Sequence, residues 1–212
     1  GWWKVEGGKV NFDYYGVAEN EYGWWRIEGG KVNFDYYGIA ENEYGWWKIE
    51  GGKVNFDYYG VAENECGWWK VEGGKVNFDY TGLADSDNGR MYVSNGGVDF
   101  GYTNVIQDGD VWVYVENGKV RYDYTGIREN ANGWWKIESG IVNFKFTGIA
   151  SNENGEFYIK DGKVDFDYSG TINQSDCIYT VKSGWVVSKE GISGIIKGVD
   201  VSHHNNDNGE GT

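Results

Sequence analysis

The sequence lacks proline altogether and has only two cysteines, one methionine and two histidines among its 212 residues. Helical periodicity is also missing, which leaves little room for helices. Apolar residues alternate with polar ones, so no apolar run is long enough for a membrane-spanning helix. His203 and His204 are adjacent, and two neighbouring histidines alone supply too few ligands for a metal ion. We therefore favour a solvated tail over a metal site there, and we predict no metal and no cofactor.

Basic residues are outnumbered, with 19 Lys and Arg against 33 Asp and Glu and a formal net charge of -14. This balance argues against nucleic acid and anionic membranes as main partners, because phosphates are neutralised by stripes of Lys and Arg. The chain begins on a repeat boundary, without a signal peptide or an initiator methionine. We therefore expect a fragment of a longer protein whose targeting segments lie elsewhere.

Repetition is what the sequence has in abundance. A glycine recurs every 22 residues from Gly8 to Gly184, and a valine stands two residues after each of them. A fixed period of this length is typical of a repeat array, in which each unit buries its apolar face against its neighbours. We predict eight full repeats and a partial ninth over residues 1–190. They should form one elongated, solenoid-like all-β domain, followed by a linker and the start of another domain over residues 191–212.

Each repeat predicts a β-hairpin. The turn reads Gly-Gly in four copies and Asn-Gly, Ser-Gly or Asp-Gly in the others, as a two-residue turn with positive φ at both positions requires. In the first copy, residues 2–6 would pair with residues 9–13, which places Trp3 and Phe12 on one apolar face. The next stretch, "YGVAENEY", predicts a loop that tucks Val17 inward before the following hairpin.

The two adjacent tryptophans of a repeat differ in what replaces them. The second position stays apolar in every copy, for example as Trp25, Met91 and Phe157, and is therefore predicted to point into the core. The first position becomes Arg90 in one copy and Glu156 in another. Such charges would not sit unpaired in a core, so the first position is predicted to face water.

Aromatic residues that face outward at the repeat junctions are the candidate binding residues. Besides the first tryptophan, two tyrosine positions are predicted to face outward, because polar or small residues (Thr, Ser, Cys, Asn or Asp) replace these tyrosines in later copies. Such rings can stack on sugars while carboxylates bond the hydroxyls, or can bind a quaternary ammonium group by cation–π attraction. Alternatively, the rings pack on one another as a secondary core. The candidates are Trp2, Tyr15, Tyr22, Trp24, Tyr37, Tyr44, Trp46, Tyr59, Trp68, Trp112 and Trp134, with Asp13, Asp35 and Asp57.

The Gly-Trp-Trp and Gly-Lys-Val-Asn-Phe strings resemble tandem aromatic hairpin repeats of secreted Gram-positive cell-surface proteins. In that family the repeats precede family 25 glycoside hydrolases, which are muramidases. The plan of a hairpin plus a loop is also distantly similar to choline-binding repeats. The tail "KGVDVSHHN", residues 197–205, resembles the opening strand of those muramidases, in which the residue matching Asp200 lines the active site.

The resemblance implies a module that binds the cell wall or a glycan and anchors a secreted muramidase to the bacterial envelope. It implies no catalysis by this chain, because the catalytic Glu and the barrel are missing and glycoside hydrolysis needs two carboxyl groups across the bond. The implied partner is a wall polymer or glycan bound by weak sites in series. We expect a monomer, with no membrane insertion. The alternative function is a structural spacer with no ligand of its own.

The two cysteines stand far apart in the array. Cys66 closes the third repeat and Cys177 opens the ninth, so five whole repeats separate them. One hairpin beside another advances by roughly 10 Å, whereas the Cα atoms of a disulfide lie within about 7 Å of each other. Both are therefore predicted to be free thiols.

Overall fold

The computed structural model describes residues 1–192, which form tandem β-hairpins in a long antiparallel sheet. This confirms the predicted all-β fold class. No α-helix occurs within these residues, and none of them belongs to a helix that could cross a membrane. The predicted start of a muramidase-like domain, including Asp200, His203 and His204, lies outside the described residues.

The repeating unit has three strands. A lead strand pairs with a central strand, which pairs in turn with a short closing strand across the glycine turn. In the first complete unit these are β3 (Gly16–Asn20), β4 (Gly23–Glu28) and β5 (Lys31–Val32). A two-stranded hairpin precedes it, β1 (Val5–Glu6) with β2 (Lys9–Val10).

The later units repeat this order. Their lead strands are β6 (Gly38–Asn42), β9 (Gly60–Asn64), β12 (Gly82–Ser86), β15 (Asn104–Asp108), β18 (Gly126–Asn130), β21 (Gly148–Asn152) and β24 (Gly170–Gln174). Their central strands are β7 (Gly45–Glu50), β10 (Gly67–Glu72), β13 (Gly89–Ser94), β16 (Val111–Glu116), β19 (Gly133–Glu138), β22 (Gly155–Lys160) and β25 (Cys177–Lys182). Their closing strands are β8 (Lys53–Val54), β11 (Lys75–Val76), β14 (Gly97–Val98), β17 (Lys119–Val120), β20 (Ile141–Val142), β23 (Lys163–Val164) and β26 (Trp185–Gly191).

The loop predicted at "YGVAENEY" is wrong, because most of this stretch is the lead strand β3. Gly16 through Asn20 pair residue by residue with β4. The Asn20 side chain shapes the turn between the two strands, since its Oδ1 accepts a hydrogen bond from the Tyr22 backbone N–H at 2.9 Å. Asparagine commonly starts a turn in this way. Val17 is buried, as the sequence predicts.

The strand after the glycine turn is shorter than predicted. β8 ends at Val54 because Asn55 starts a turn, in which its Oδ1 accepts from the Asp57 N–H at 2.9 Å and its carbonyl accepts from the Tyr58 N–H at 3.3 Å. Phe56 therefore lies outside the strand and is 46% exposed. The predicted inward position of Phe12, the equivalent residue of the first repeat, is wrong for the same reason.

The glycine turns confirm the prediction of positive φ. Gly29 and Gly30 have φ of 55° and 78°, and Asn95 has φ of 50° at the first turn position of a later copy. The turn also touches the preceding repeat, since the Gly30 N–H donates to the Tyr14 carbonyl at 3.0 Å. A Cβ on Gly30 would lie 2.3 Å from the carbonyl oxygen of Asn11. The second turn position thus needs glycine for space as well as for φ.

The chain divides into two compact units: Gly1–Tyr124 with Ser139–Ile141, and Thr125–Glu138 with the residues from Val142 onward. Both contain core clusters built from successive repeats. In the first unit, one cluster consists of Val17, Ala40, Trp47, Ile49 and Val54. In the second unit, another consists of Ile127, Phe157, Ile159 and Val164. Because a lone hairpin is marginal in water, this sharing of cores between repeats supplies the stability.

Both cysteines are free, as the sequence predicts. Cys66 is exposed and Cys177 is half-buried.

Candidate functional site: clefts and aromatic clusters at the repeat junctions

The first tryptophan of a pair lies between repeats, so the prediction that this position faces water is wrong for most copies. The Trp24 ring is 4.8 Å from the ring of Trp47 and 6.0 Å from that of Phe56, both in the next repeat. Edge-to-face contacts of this kind stabilise aromatic pairs. The half-buried members are Trp24, Trp46, Trp68, Trp112 and Trp134, whereas Trp2 is 39% exposed.

Arg90, which replaces the first tryptophan in one repeat, is half-buried as well. Its Nη2 donates at 2.9 Å to Oδ1 of Asp108, which lies in the lead strand of the next three-stranded unit. The prediction of exposure assumed an unpaired charge, and this ion pair removes that objection.

The prediction that the second tryptophan points into the core is confirmed for Trp47, but Trp25 and Trp69 are only half-buried and Trp3 is 46% exposed. An asparagine of the same hairpin holds the Trp47 ring in place. Trp47 is 8% exposed, and its Nε1 donates to Oδ1 of Asn42 at 2.8 Å. The same oxygen accepts from the backbone N–H of Tyr44 at 2.9 Å. Asn42 therefore positions both the core ring and the turn that carries the exposed Tyr44.

The first tryptophan of one repeat and the second tryptophan of the next both contact a phenylalanine, which the sequence places in the core but the structure places at the surface. Trp24, Trp47 and Phe56 form one triad, in which the Trp47 and Phe56 centroids are 5.8 Å apart. The asparagine before each such phenylalanine was the available signal, because it marks a turn rather than a continuing strand. The equivalent triads are Trp2, Trp25 and Phe34; Trp46, Trp69 and Phe78; and Trp134, Phe157 and Phe166.

A cleft of about 690 Å³ lies where the first hairpin meets the first two complete units. Tyr15, Trp24 and Tyr44 supply aromatic walls, and Glu41 and Glu43 add carboxylates. A volume of this size suits a small-molecule group. An equivalent cleft of about 310 Å³ follows one repeat further on.

The second cleft shares Tyr15 with the first and contains Trp46 in the place of Trp24. Cys66 lines it where Tyr44 lines the first cleft. The second cleft therefore has one aromatic wall fewer.

Charge in the first cleft is negative. Its lysine, Lys4, is paired with Glu6 at 3.5 Å. A hydrogen bond from Asn11, followed by the charge of Lys4, lowers the pKa of Glu6. The three other carboxylates in the lining, those of Glu19, Glu41 and Glu43, have no ion-pair partner among residues 1–192. The cleft therefore attracts cations.

The negative charge acts on the tyrosine at the rim as well. Repulsion by the adjacent Glu43 carboxylate, which also accepts a hydrogen bond from the phenol, raises the pKa of Tyr44. Tyr44 therefore keeps its proton at neutral pH and presents a neutral ring to the cleft.

The structure gathers some of the predicted ligand residues and leaves others apart. Tyr15, Trp24 and Tyr44 meet in the first cleft, Tyr15 and Trp46 in the second. Tyr22 packs on Trp2 at 5.5 Å. Tyr37 and Tyr59 are 71% and 70% exposed, and Asp13, Asp35 and Asp57 are exposed but line neither cleft. Glu41 and Glu43 are not among the sequence candidates, because acids that recur in every early repeat are also typical of a solvated surface.

No group of three or more His, Cys, Asp and Glu side chains in residues 1–192 is arranged to hold a metal ion.

The sequence model of the choline-binding repeat matches this chain at residues 13–33, 35–55, 79–99, 101–121, 123–143 and 145–165. These segments together cover more than half of the chain, which therefore belongs to the choline-binding repeat family. Each matched segment contains one lead, one central and one closing strand. The family relation is thus closer than the distant similarity stated from the sequence, and the family's repeat coincides with the three-stranded unit.

Solved structures with a similar arrangement include alternansucrase in complex with isomaltononaose, at 14% identity and a TM-score of 0.35. The modular autolysin LytC from Streptococcus pneumoniae is similar at 12% identity and a TM-score of 0.36. The comparisons cover 86% and 82% of this chain but only 14% and 42% of those two chains. Likenesses this weak support no functional argument. No curated protein matches the sequence.

Proposed function

We propose that this chain is a non-catalytic module that binds choline on wall-linked polymers, such as teichoic acids, and so holds a secreted protein on the bacterial surface. Membership of the choline-binding repeat family supports this ligand class. Choline carries a trimethylammonium group, which binds to the faces of aromatic rings and is attracted by carboxylates.

The first cleft is the observation that carries the proposal. It combines the rings of Tyr15, Trp24 and Tyr44 with the carboxylates of Glu41 and Glu43 in one space of about 690 Å³. The formal net charge of -14 favours a cationic ligand further. Each cation–π contact contributes only about 0.5–2 kcal/mol, so a single cleft binds weakly. A polymer that bears many choline groups engages several junctions at once, and avidity then makes the retention strong.

The protein that this module serves is, in our proposal, a muramidase or autolysin of a Gram-positive cell surface. The resemblance of residues 197–205 to the opening strand of family 25 muramidases supports it. The matched segments are all binding repeats, which fits a module that targets an enzyme without taking part in its chemistry. We propose that the module acts as a monomer.

A structural spacer is the second candidate function. The packing of Trp24 against Trp47 and Phe56 favours it, because these rings stabilise the junction whether or not a ligand binds. A spacer of this kind shows no saturable binding to choline or to walls, and that difference separates the two candidates.

Calorimetric titration with choline tests the proposal. Tyr44→Ala removes a ring and Glu43→Gln removes a charge from the first cleft, and each should weaken choline binding, by about 2- to 30-fold for the ring. Glu21→Gln is the matched control, because Glu21 occupies the equivalent repeat position but does not line the cleft. Unchanged affinity in both cleft variants refutes the assignment of the ligand to the cleft.

A pulldown on purified cell walls tests the biological target. The protein should remain on walls that carry choline-bearing teichoic acid and be eluted by free choline. Equal retention on the same walls after removal of teichoic acid indicates a glycan ligand, the other possibility that the sequence raises.

A further inference from the structure

In four repeats the lysine after the glycine turn places its ammonium group over a tryptophan ring of the preceding repeat. Nζ of Lys53 lies 5.3 Å from the ring centroid of Trp25. Such a distance is typical of a cation–π contact. The same contact occurs from Lys31 to Trp3 at 5.8 Å, from Lys75 to Trp47 at 5.4 Å and from Lys163 to Trp135 at 5.3 Å.

The glycine before each tryptophan pair makes room for that lysine. A Cβ on Gly23 would lie 2.7 Å from Cε of Lys53, and one on Gly45 would lie 2.6 Å from Cε of Lys75. Contacts this short do not occur, so the aliphatic chain of the lysine passes over a bare α-carbon to reach the ring. The tryptophan ring and the glycine beside it therefore form a cation site, and the lysine of the next repeat occupies that site.

Trp69 lacks this lysine. Gly97 stands in the strand position opposite Trp69, just as Lys53 stands opposite Trp25. The nearest atom to a Cβ built on Gly67 belongs to the Trp69 ring itself, at 3.8 Å. Among residues 1–192 no lysine or arginine lies over the Trp69 ring.

The Trp69 ring is nevertheless held in the same way as its counterparts. Its Nε1 donates to Oδ1 of Asn64 at 2.9 Å, and its centroid lies 5.1 Å from Trp46 and 5.7 Å from Phe78. The ring face is therefore preorganised, which lowers the entropic cost of binding.

We propose that the face of Trp69 between Gly67 and Gly97 binds an external alkylammonium group. The ligand is a primary ammonium on a flexible aliphatic chain, because the lysines of the other repeats present that group to the equivalent rings. Trp69 lines neither of the two clefts, so this site is separate from them and does not depend on the proposed function. One ring binds weakly, and the site adds to retention when the partner carries many cationic groups.

Nuclear magnetic resonance of the indole N–H groups tests the site, with n-butylammonium chloride as the probe and ionic strength held constant. The Trp69 resonance, assigned by Trp69→Phe, should shift saturably in the native chain. Gly97→Lys supplies the missing lysine and should reduce this response by about fivefold, the equivalent of roughly 1 kcal/mol of competing cation–π contact. Position 97 accommodates a side chain, since a Cβ there would lie 3.5 Å from the Trp69 ring, an ordinary contact.

The reverse change provides a second, independent variant. Lys53→Gly removes the internal cation from Trp25, and n-butylammonium should then shift the Trp25 resonance as it shifts that of Trp69. An undiminished Trp69 response in Gly97→Lys, or an equal response to the neutral n-butanol, overturns the proposal.

Choline serves as the third probe, because it separates this site from the clefts. Choline binding that responds to Tyr44→Ala but leaves Trp69 unshifted by either cation overturns the Trp69 site and leaves the proposed function standing. A Trp69 shift without any effect of the cleft variants supports the Trp69 site and counts against the clefts.

Discussion

At the scale of the residue, the second turn glycine meets two requirements that differ in kind. Positive φ alone does not demand glycine, since Asn95 and Ser139 adopt φ of 50° and 49° at the first turn position. The second position also lies against the preceding repeat, where a Cβ on Gly52 would be 2.3 Å from the Asn33 carbonyl oxygen. Gly8 has no atom within 4 Å of its Cβ position, because no described repeat precedes it. Contact between repeats is therefore the stricter requirement.

Gly52→Ala should destabilise the protein much more than Gly51→Ala. Both positions have positive φ, 76° and 56°, so both changes introduce backbone strain of about 1–2 kcal/mol. Only Gly52→Ala adds a clash with backbone, which brings a further 1–3 kcal/mol or so of overpacking. A Cβ at position 51 meets nothing closer than the Tyr37 hydroxyl, at 3.6 Å. Thermal melting of the two variants measures the difference, and equal melting temperatures would contradict the argument.

The paired tryptophans should both contribute to stability, although unequally. Trp47→Ala empties a buried aromatic position and is expected to cost about 3–5 kcal/mol. Trp46→Ala removes a half-buried ring that packs on Trp69 at 5.1 Å and Phe78 at 5.5 Å, so we expect roughly half that loss. Denaturant unfolding gives both values. A negligible effect of Trp46→Ala would mean that the ring contacts between repeats do not stabilise the fold.

At the scale of the element, the residue that precedes each lead strand divides the junctions between repeats into two kinds. Where that residue is threonine, its hydroxyl accepts from the first turn N–H of the next repeat, as Thr81 does from Asn95 at 3.1 Å and Thr103 from Asn117 at 3.0 Å. Where it is tyrosine, the first turn residue is glycine, and the Tyr59 hydroxyl lies 3.4 Å from a Cβ position on Gly73. The tyrosine and the turn residue of the next repeat therefore vary together.

A double-mutant cycle at Tyr37 and Gly51 tests this coupling. Tyr37→Thr alone leaves a glycine turn that gains one hydrogen bond, and Gly51→Asn alone crowds the tyrosine. The double variant reproduces the junction of Thr81 with Asn95 and should be more stable than the two single effects add up to, by about 0.5–1.5 kcal/mol. Strict additivity in denaturant unfolding would show that the two positions vary independently.

The closing turn also carries a pH-sensitive contact. Asn77 donates to Glu72 at 2.8 Å, and this hydrogen bond, followed by the charge of Lys70, lowers the pKa of Glu72 from its usual 4.5. The unfolded chain then binds the proton more tightly than the folded one. The stabilising contribution is therefore complete above about pH 4.5 and is lost as the pH falls through the lower folded value.

Asn77→Asp should expose this contribution. Aspartate keeps the oxygen that accepts from the Asp79 N–H, as Asp99 does for Gly101 in the next repeat, but it removes the donor to Glu72. The variant should melt at a lower temperature than the native protein at pH 7, and the gap should narrow as the pH falls and the carboxyl groups become protonated. A gap that stays the same as the pH falls from 7 into the acid range would show that the Glu72 contact does not contribute.

The sequence correctly predicted the features that are determined by residues within one repeat. Gly-Gly and Asn-Gly specify the turn by themselves, and the residues that replace one another at the second tryptophan position identified Phe157 as inward, where it is fully buried. The sequence predicts only one partner for β4, the strand after the glycine turn, so the lead strand on its other side was missed. The alternation of apolar residues along a strand does not show which neighbours that strand pairs with. Trp24 is half-buried because it packs on Trp47 and Phe56 of the next repeat. The pattern of residues within a single repeat carries no information about such contacts.

At the scale of the whole molecule, the repeats are alike in fold but not in surface. Tyr15, Tyr37 and Tyr59 are 68–71% exposed, whereas threonine or serine occupies this position from Thr81 onward. The tyrosine at the turn between lead and central strands is present only as Tyr22 and Tyr44. The aromatic binding surface that we propose is therefore concentrated in the first three repeats, and the later ones keep the core without the exposed rings.

Exchange of Tyr44 and Cys66 tests whether the junctions act as separate sites in series. Tyr44→Cys removes an aromatic wall from the first cleft, and Cys66→Tyr adds one to the second. Because one cation–π contact contributes about 0.5–2 kcal/mol, the first change should lower and the second raise retention on choline-bearing walls by about 2- to 30-fold. The concentration of free choline that elutes half of the protein measures this retention.

The double exchange should return retention close to the native value, because avidity depends on how many sites engage rather than on which ones. Cys66→Ser controls for loss of the thiol and should change nothing. If the double exchange binds as weakly as Tyr44→Cys alone, the second cleft takes no part in binding and the sites do not act in series.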